Sequence, residues 1–178
     1  MIDWSEIDTV LLDMDGTLLD LHYDNYFWLE HLPLRYASHH NCDLPTARNI
    51  LRTLSEELHG SLQWYCIDHW SKTLSMDITA LKNEVRHLIR FRPDTKNFLE
   101  FLQQQGKTLT LVTNAHPKAL ALKLEASGLH LHISDCISAH QFNLAKENAG
   151  FWHLLQTHSN LDFNKCLFID DNLHVLRR

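Results

Sequence analysis

No two of the four cysteines, Cys42, Cys66, Cys136 and Cys166, stand at CxxC spacing, and two of them lie within apolar segments. Such usage argues against a disulfide framework and fits a reducing compartment. Basic charge is also in short supply: 16 Lys and Arg stand against 22 Asp and Glu, a formal net charge of -6. That balance speaks against a nucleic-acid or anionic-membrane partner. The N-terminal MIDWSEID has no basic stretch leading into an apolar one and does not read as a secretory signal. No apolar run reaches membrane-spanning length. These absences lead us to expect a cytoplasmic protein with no membrane partner. The chain also lacks repeats, low-complexity tracts and flexible linkers. Histidine is abundant, with 14 residues, yet no HExxH or paired Cys/His spacing arranges them as a zinc site. His39 and His40 lie in a polar stretch and read as solvated loop. HLHLHI would set His130 and His132 on one strand face, with no third ligand nearby.

What is present is a substantial core. Of the 178 residues 44% are hydrophobic, five of them Trp and eight Phe, which suits one domain, or one domain with an insert, and makes disorder untenable. TVLLDMD reads as a fully buried strand, continuous aliphatics ending in a turn signal at Gly16. From about residue 93 helix and strand alternate. Pro93-Asp94 opens a helix closed by Gly106, and TLTLVTN follows as a strand. HPKALALKLEASG is a helix with Pro117 near its start and Gly128 past its end. DCIS is a short strand, ENAGFWHLLQTH a helix and KCLFID a last strand. Apolar strands without internal alternation, joined by helices, imply a parallel sheet covered on both faces.

Residues 22–92 break that rhythm and carry a helical period throughout. Asp43 and Pro45 start a helix showing Ala47, Ile50, Leu51, Leu54 and Leu58, and Asp77 caps another showing Leu81, Val85, Leu88 and Ile89. The expected organisation is an α/β core of residues 1–21 and 93–178, with a helical insert of residues 22–92. Ligands of open parallel sheets sit beyond the carboxyl ends of the strands. Three strands here end in chemically useful residues: Asp13 and Asp15, Thr113 and Asn114, Asp170 and Asp171. A carboxylate cluster at one sheet edge suits a hard cation, most economically Mg2+ held by carboxylates, water and a substrate phosphate. Each residue has a plainer reading alone: Asp13 and Asp15 as turn formers, Thr113 as an ordinary strand end, Lys146 as a solvated lysine.

Taken in order, DMDGT after an apolar strand, Thr113 ending a second, Lys146 before a helix and IDD ending a later strand resemble the four motifs of the haloacid dehalogenase (HAD) superfamily of phosphohydrolases. More narrowly, DTVLLDMDGTLLDL, DNYFW, WYCIDHW and LVTNAHP resemble its bacterial GMP/IMP 5'-nucleotidase branch, and the tryptophan-rich insert resembles that branch's cap. The resemblance implies a Rossmann-like HAD fold and a small phosphate ester, a purine nucleotide, as substrate. It implies that Asp13 is the nucleophile, forming an aspartyl-phosphate, and that Asp15 is the acid and base. Gly16 would permit the turn, and its loop's backbone N–H groups, with Thr113, Asn114 and Lys146, would hold the phosphate. Asp13, the Asp15 backbone carbonyl and Asp170 would ligate Mg2+, with Asp171 behind them. In the insert, most of Tyr26, Phe27, Trp28, Trp64, Tyr65 and Trp70 read as packing residues, and one or two of the six could stack on a purine. Asn25, His116 and Lys118 are polar candidates at the expected opening between cap and sheet.

The sheet motifs do not separate nucleotides from other substrates such as sugar phosphates. A dehalogenase would leave Asp15 without a role, since halide departs without a proton. The chain stops at DDNLHVLRR, one turn of helix after the last acid pair, where HAD members continue with a further strand and helix. A C-terminal part is therefore expected to be missing, and a noncatalytic binding module is the alternative outside enzymes.

Overall fold

A computed structural model describes residues 2–177. Four strands, β1 (Thr9–Leu12), β2 (Thr108–Thr113), β3 (Asp135–Ser138) and β4 (Cys166–Ile169), form one parallel sheet in the order β3-β2-β1-β4. The chain moves outward from β1 through β2 to β3, then crosses back to β4 on the other side of β1. The strand order thus reverses at β1, the position in such sheets where ligands collect. β4 is an edge strand, half-buried along its whole length.

Successive side chains of a strand point to opposite faces, and both faces of this sheet are apolar. Val10, Leu12, Leu109 and Leu111 enter one cluster; Leu11, Val112 and Ile137 enter a second with Phe151 and Leu155. The first cluster takes in α7 (Thr95–Gln104) through Leu99 and Leu102, and α8 (Pro117–Ser127) through Ala119 and Leu120. The second is covered by α9 (Ala149–Ser159), whose N-cap Asn148 accepts the Gly150 N–H at 2.8 Å. Gly128, at φ 73°, ends α8 in the left-handed conformation that glycine adopts without strain.

Between β1 and β2 the chain builds a helical layer. It begins with α1 (His22–Tyr26), runs through a π-helical turn at Phe27–His31, and continues as α2 (Leu32–His40). Then come α3 (Leu44–Leu58), α4 (Leu62–Tyr65), α5 (Ile67–Leu74) and α6 (Ile78–Glu84). Asp43 and Asp77 cap α3 and α6 through bonds from the Thr46 and Ala80 N–H groups, at 2.8 and 2.9 Å. The two chain segments leading into and out of this layer are zipped together. Asp20 N–H donates to Arg90 O, and Arg92 N–H to Leu18 O, both at 3.0 Å. Tyr23, Phe27, Ile67, Trp70 and Leu74 belong to the same apolar cluster as the first sheet face, so layer and sheet share one continuous core.

Two local expectations give way. The α6 periodicity was expected to reach Ile89, but the helix ends at Glu84 and the chain passes into a 3-10 turn at Arg86–Leu88; Val85 and Ile89 stay buried because the tighter turn keeps them on the same side. HLHLHI does not supply a histidine strand face. After Gly128 the chain makes a 3-10 turn at Leu129–Leu131, and the His130 ring bonds to Leu124 O at 3.0 Å. A short final helix, α10 (Leu173–Leu176), follows β4.

Phe151 is fully buried and anchors the second cluster. Replacing it with Ala is expected to cost about 3–5 kcal/mol of stability through lost transfer energy and a residual cavity. Urea unfolding of the two proteins measures this, and a loss below about 1 kcal/mol would mean that α9 does not hold that face.

Candidate active site

The pairing of β1 with β4 continues one residue beyond the strands: Asp13 N–H donates to Ile169 O at 3.0 Å. This sets Asp13 beside Asp170 at the carboxyl end of the sheet. Lys146 reaches both carboxylates from the loop after β3. Its Nζ lies 2.5 Å from Asp13 Oδ1, 2.7 Å from Asp170 Oδ2 and 3.2 Å from Val112 O. Three acceptors use all three ammonium donors. Burial works against the charge of Lys146, yet the two carboxylates raise its pKa overall. Asp13 is pushed up to about 7, by burial first and by Asp170 second, with Lys146 opposing. The other Asp13 oxygen, Oδ2, is buried and has no hydrogen-bond partner.

The loop carrying Lys146 is itself held from the end of β2. Asn114 Oδ1 accepts the Lys146 N–H at 2.8 Å, and Asn114 Nδ2 donates to Glu147 at 2.9 Å. Glu147 also accepts the Tyr65 hydroxyl at 2.8 Å, which ties the helical layer to this loop. Asn114 was expected among the phosphate ligands; its side chain is instead occupied in holding the lysine loop. Thr113 Oγ1 is buried and accepts the Ala115 N–H at 3.0 Å, so its own hydroxyl proton remains to donate.

Gly16 turns the chain at φ 89°. A Cβ there would sit 2.0 Å from Asp171 Oδ2, so both the dihedral and the close approach of Asp171 require glycine. The N–H of Gly16 is committed to Leu19 O at 2.8 Å, and its carbonyl accepts from the Arg92 guanidinium. Gly16 therefore shapes the loop and is not itself a phosphate donor, contrary to the expectation. Asp170 Oδ1 accepts the Asn172 N–H at 2.7 Å. Asp13, Asp170 and Asp171 each offer an oxygen within 4.8 Å of the others. With three hard oxygen donors converging and one ammonium set against two carboxylates, the residues fit a small hard dication.

Asp15 belongs to a buried charge network that the sequence does not reveal. Lys123 Nζ, on α8, lies 2.6 Å from Asp15 Oδ1 and 2.6 Å from Asp24 Oδ2. Lys82 Nζ, on α6, lies 3.0 Å from Asp24 Oδ1 and over the rings of Tyr23 and Phe27. Burial opposes the charge on Asp24, but Lys123 and Lys82 outweigh it and hold its pKa at about 2. Asp15 is shifted upward, by burial and then against the pull of Lys123. Lys82 and Lys123 are each 3% exposed, too deep to be ordinary solvated lysines.

From Asp15 and Asp171 a cavity of about 970 Å³ extends between the sheet edge and the helical layer. Trp28, Trp64, Tyr65 and Trp70 line it, and Asn25 lies at its wall. Phe27 is fully buried in the core, and Tyr26 is exposed. His116 and Lys118 do not line the cavity. The start of α8 turns them toward α5, where Lys118 Nζ pairs with Asp68 at 2.6 Å and His116 Nε2 lies 3.6 Å from the same carboxylate.

The chain belongs to the haloacid dehalogenase-like hydrolase family, whose model matches residues 7–175. Among curated proteins it is similar to the GMP/IMP nucleotidase YrfG of Escherichia coli (strain K12), with 42% identity over 175 residues. The matched region is 98% of this chain and 79% of that protein. The GMP/IMP nucleotidase YrfG of Shigella flexneri matches to the same extent. Among solved structures, a HAD phosphatase from Thermococcus onnurineus superposes with a TM-score of 0.82 at 22% identity, covering 94% of this chain and 79% of that one. That likeness places the fold. No helix among the described residues is long and apolar enough to cross a membrane.

The buried network can be tested by a double-variant cycle. Lys123→Met leaves Asp15 and Asp24 without their shared cation and is expected to cost about 3–5 kcal/mol in urea unfolding, because a buried charge loses its partner. Adding Asp15→Asn should recover a large part of that loss, since Asp24 keeps Lys82. A double variant as unstable as the single would assign the loss to packing alone.

Proposed function

We propose that the protein is a Mg2+-dependent phosphomonoesterase acting on purine nucleoside 5'-monophosphates, with Asp13 as nucleophile. The observation that carries the reading is the asymmetry of Asp13: Lys146 pins one oxygen, and the other is buried, unpartnered and at the mouth of the sheet. A carboxylate fixed in this way has one oxygen ready to meet a phosphorus atom.

In the proposed first step Asp13 Oδ2 forms a bond to phosphorus as the ester oxygen leaves. Asp15 gives that oxygen a proton and later takes one from the water that attacks the aspartyl-phosphate. Phosphate then departs and Asp13 is restored. The upward pKa shift of Asp15 supports this alternation, since an unperturbed carboxyl would hold its proton too rarely. Lys146 offsets negative charge shared by nucleophile and phosphate, and the Thr113 hydroxyl is free to donate to a phosphate oxygen. Asp13, the Asp15 backbone carbonyl and Asp170 would hold Mg2+, with Asp171 behind them; when bound, the ion stabilises charge on the transferring phosphoryl group.

The helical layer of residues 22–92 is proposed to act as a cap over the core formed by residues 1–21 and 93–178. The nucleotide preference is supported by the curated relatives and by the cavity, which begins at Asp15 and ends among tryptophans offering flat apolar faces to a base. Asn25 is the polar candidate retained for substrate contact. His116 and Lys118 face Asp68 and not the cavity.

Phosphate release from GMP, IMP, AMP and sugar phosphates, with and without Mg2+, tests this reading. GMP and IMP are expected to give the highest kcat/KM, and Asp13→Asn to lower kcat at least about 1000-fold with the fold intact. A preferred sugar phosphate would end the nucleotide claim, and appreciable turnover by Asp13→Asn would remove the nucleophile.

Metal binding should depend on pH in a defined direction. A proton on Asp13 competes with Mg2+ below about pH 7, so apparent affinity should rise with pH up to that point, by as much as about tenfold per unit, and flatten above it. Calorimetric titration at several pH values measures this independently of turnover. An affinity that does not change between pH 5.5 and 8, a range chosen to bracket about 7, would take Asp13 out of the metal shell.

A further inference from the structure

Away from the carboxylates, three side chains from three parts of the chain meet at the seam between helical layer and sheet. Cys66 is the residue joining α4 to α5. His116 is the N-cap of α8, just past β2. His140 lies in the 3-10 turn Ala139–Gln141 that follows β3. One ligand atom of each lies within 4.8 Å of the other two. The two imidazole rings pack edge to face, with centroids 4.9 Å apart.

The state of His140 is the informative detail. Its Nε2 is buried and has no hydrogen-bond partner. A buried ring nitrogen without a partner, in a residue clustered with a thiol and a second imidazole, has the character of a metal ligand. Burial and the neighbouring His116 keep His140 neutral, down to about 4, so its lone pair is available at physiological pH. Cys66 Sγ accepts the His69 N–H at 3.4 Å. Asp68 lies 3.6 Å from His116 Nε2, on the side where a carboxylate would steady an imidazole that binds metal through Nδ1. A cavity of about 650 Å³, lined in part by Cys66 and His140, gives an ion access.

We propose that Cys66, His116 and His140 form a second metal site, selective for a borderline-soft dication such as Zn2+, that pins the helical layer to the sheet. One sulfur and two nitrogens suit zinc and are poor partners for Mg2+, which prefers oxygen. Tetrahedral zinc places neighbouring ligand atoms about 3.5 Å apart, so occupation would draw the three side chains together. The cost is the long 3.3 Å bond by which His116 Nδ1 caps Lys118 N–H. The ion would join Cys66 in the layer to His116 and His140 in the sheet, so its occupation would oppose any opening of the layer. The effect on turnover rests on the phosphatase reading above; the binding and the pinning do not.

The test uses the full, reduced chain in excess Mg2+, so that the carboxylates are filled. Co2+ is expected to bind at one equivalent per chain with a near-ultraviolet thiolate-to-metal band, which carboxylate ligation cannot produce, and Zn2+ should abolish the band by displacement. Cys66→Ser should lose it, and His140→Gln should weaken Co2+ binding at least about tenfold, while both keep Mg2+-dependent phosphate release. One equivalent of Zn2+ should slow hydrogen exchange in α5 and α8 and lower turnover in the parent chain but not in Cys66→Ser. Absence of the band, or a band of equal strength in Cys66→Ser, would overturn the site. Unchanged exchange would overturn the pinning. Equal zinc inhibition of parent and Cys66→Ser would move the inhibiting ion to the carboxylates. If no phosphate ester is turned over, the phosphatase reading fails while the band and the exchange still decide this one.

Discussion

Two carboxylates on the ends of adjacent strands, Asp13 after β1 and Asp170 after β4, are held against one buried ammonium. Parallel pairing of β1 with β4 forces the juxtaposition, and without a cation the two charges would repel in a site little reached by water. At an effective dielectric of about 20, a contact of 2.5 Å is worth roughly 6–7 kcal/mol of attraction, comparable to what desolvating these ions costs. Lys146 therefore makes the arrangement tolerable, and little more. It cancels one negative charge of two and leaves Asp13 Oδ2 unsatisfied. The deficit that remains is the property a divalent ion and a phosphate could use.

Much of the surrounding structure serves to deliver that lysine. Lys146 comes from a loop with no helix or strand geometry of its own, so its position depends on Asn114, which takes its N–H, and on Glu147, which Asn114 and Tyr65 hold in turn. Tyr65 belongs to the helical layer. The layer thus bears on the charge balance of the sheet edge through a chain of hydrogen bonds as well as through the shared apolar core.

The parts legible in the sequence were those encoded locally. Continuous aliphatic runs gave the strands; Asp43 and Asp77 marked helix starts by side chains that act within three residues, and Gly128 marked a helix end by its left-handed backbone. Asp13, Lys146 and Asp170 were legible only through their order along the chain, since nothing local distinguishes Lys146 from a solvated lysine. The Asp15–Lys123–Asp24–Lys82 network is not legible in the sequence because its members are far apart along the chain, Lys123 standing 99 residues from Asp24 and farther still from Asp15. A signal was nevertheless present. Lys123 falls on the buried stripe of α8 with Ala119 and Leu120, and Lys82 on that of α6 with Ile78 and Leu81. A lysine at an apolar-face position of an amphipathic helix must find a buried carboxylate or reach past its neighbours to water. His116 and Lys118 were misplaced because strand order shows that α8 starts near the opening but not which way its first turn faces.

The same network bears on how Asp15 could change protonation without upsetting its surroundings. A carboxyl that alternates between charged and neutral would ordinarily strand its cation each time it takes a proton. Lys123 is not stranded, because it lies as close to Asp24 as to Asp15, and Asp24 stays ionised down to about pH 2. Lys82 completes the balance: two ammonium groups face two carboxylates when Asp15 is charged, and one excess positive charge remains when it is not. That excess arises beside the ester oxygen at the moment when, on the proposed mechanism, Asp15 holds the proton it will donate. It would favour the entry of an anionic substrate and weaken after the proton has passed. On the proposed mechanism the phosphate lies at the Asp13 end, and a base would extend toward the tryptophan walls. Charge would then orient the substrate, and the apolar layer would choose it.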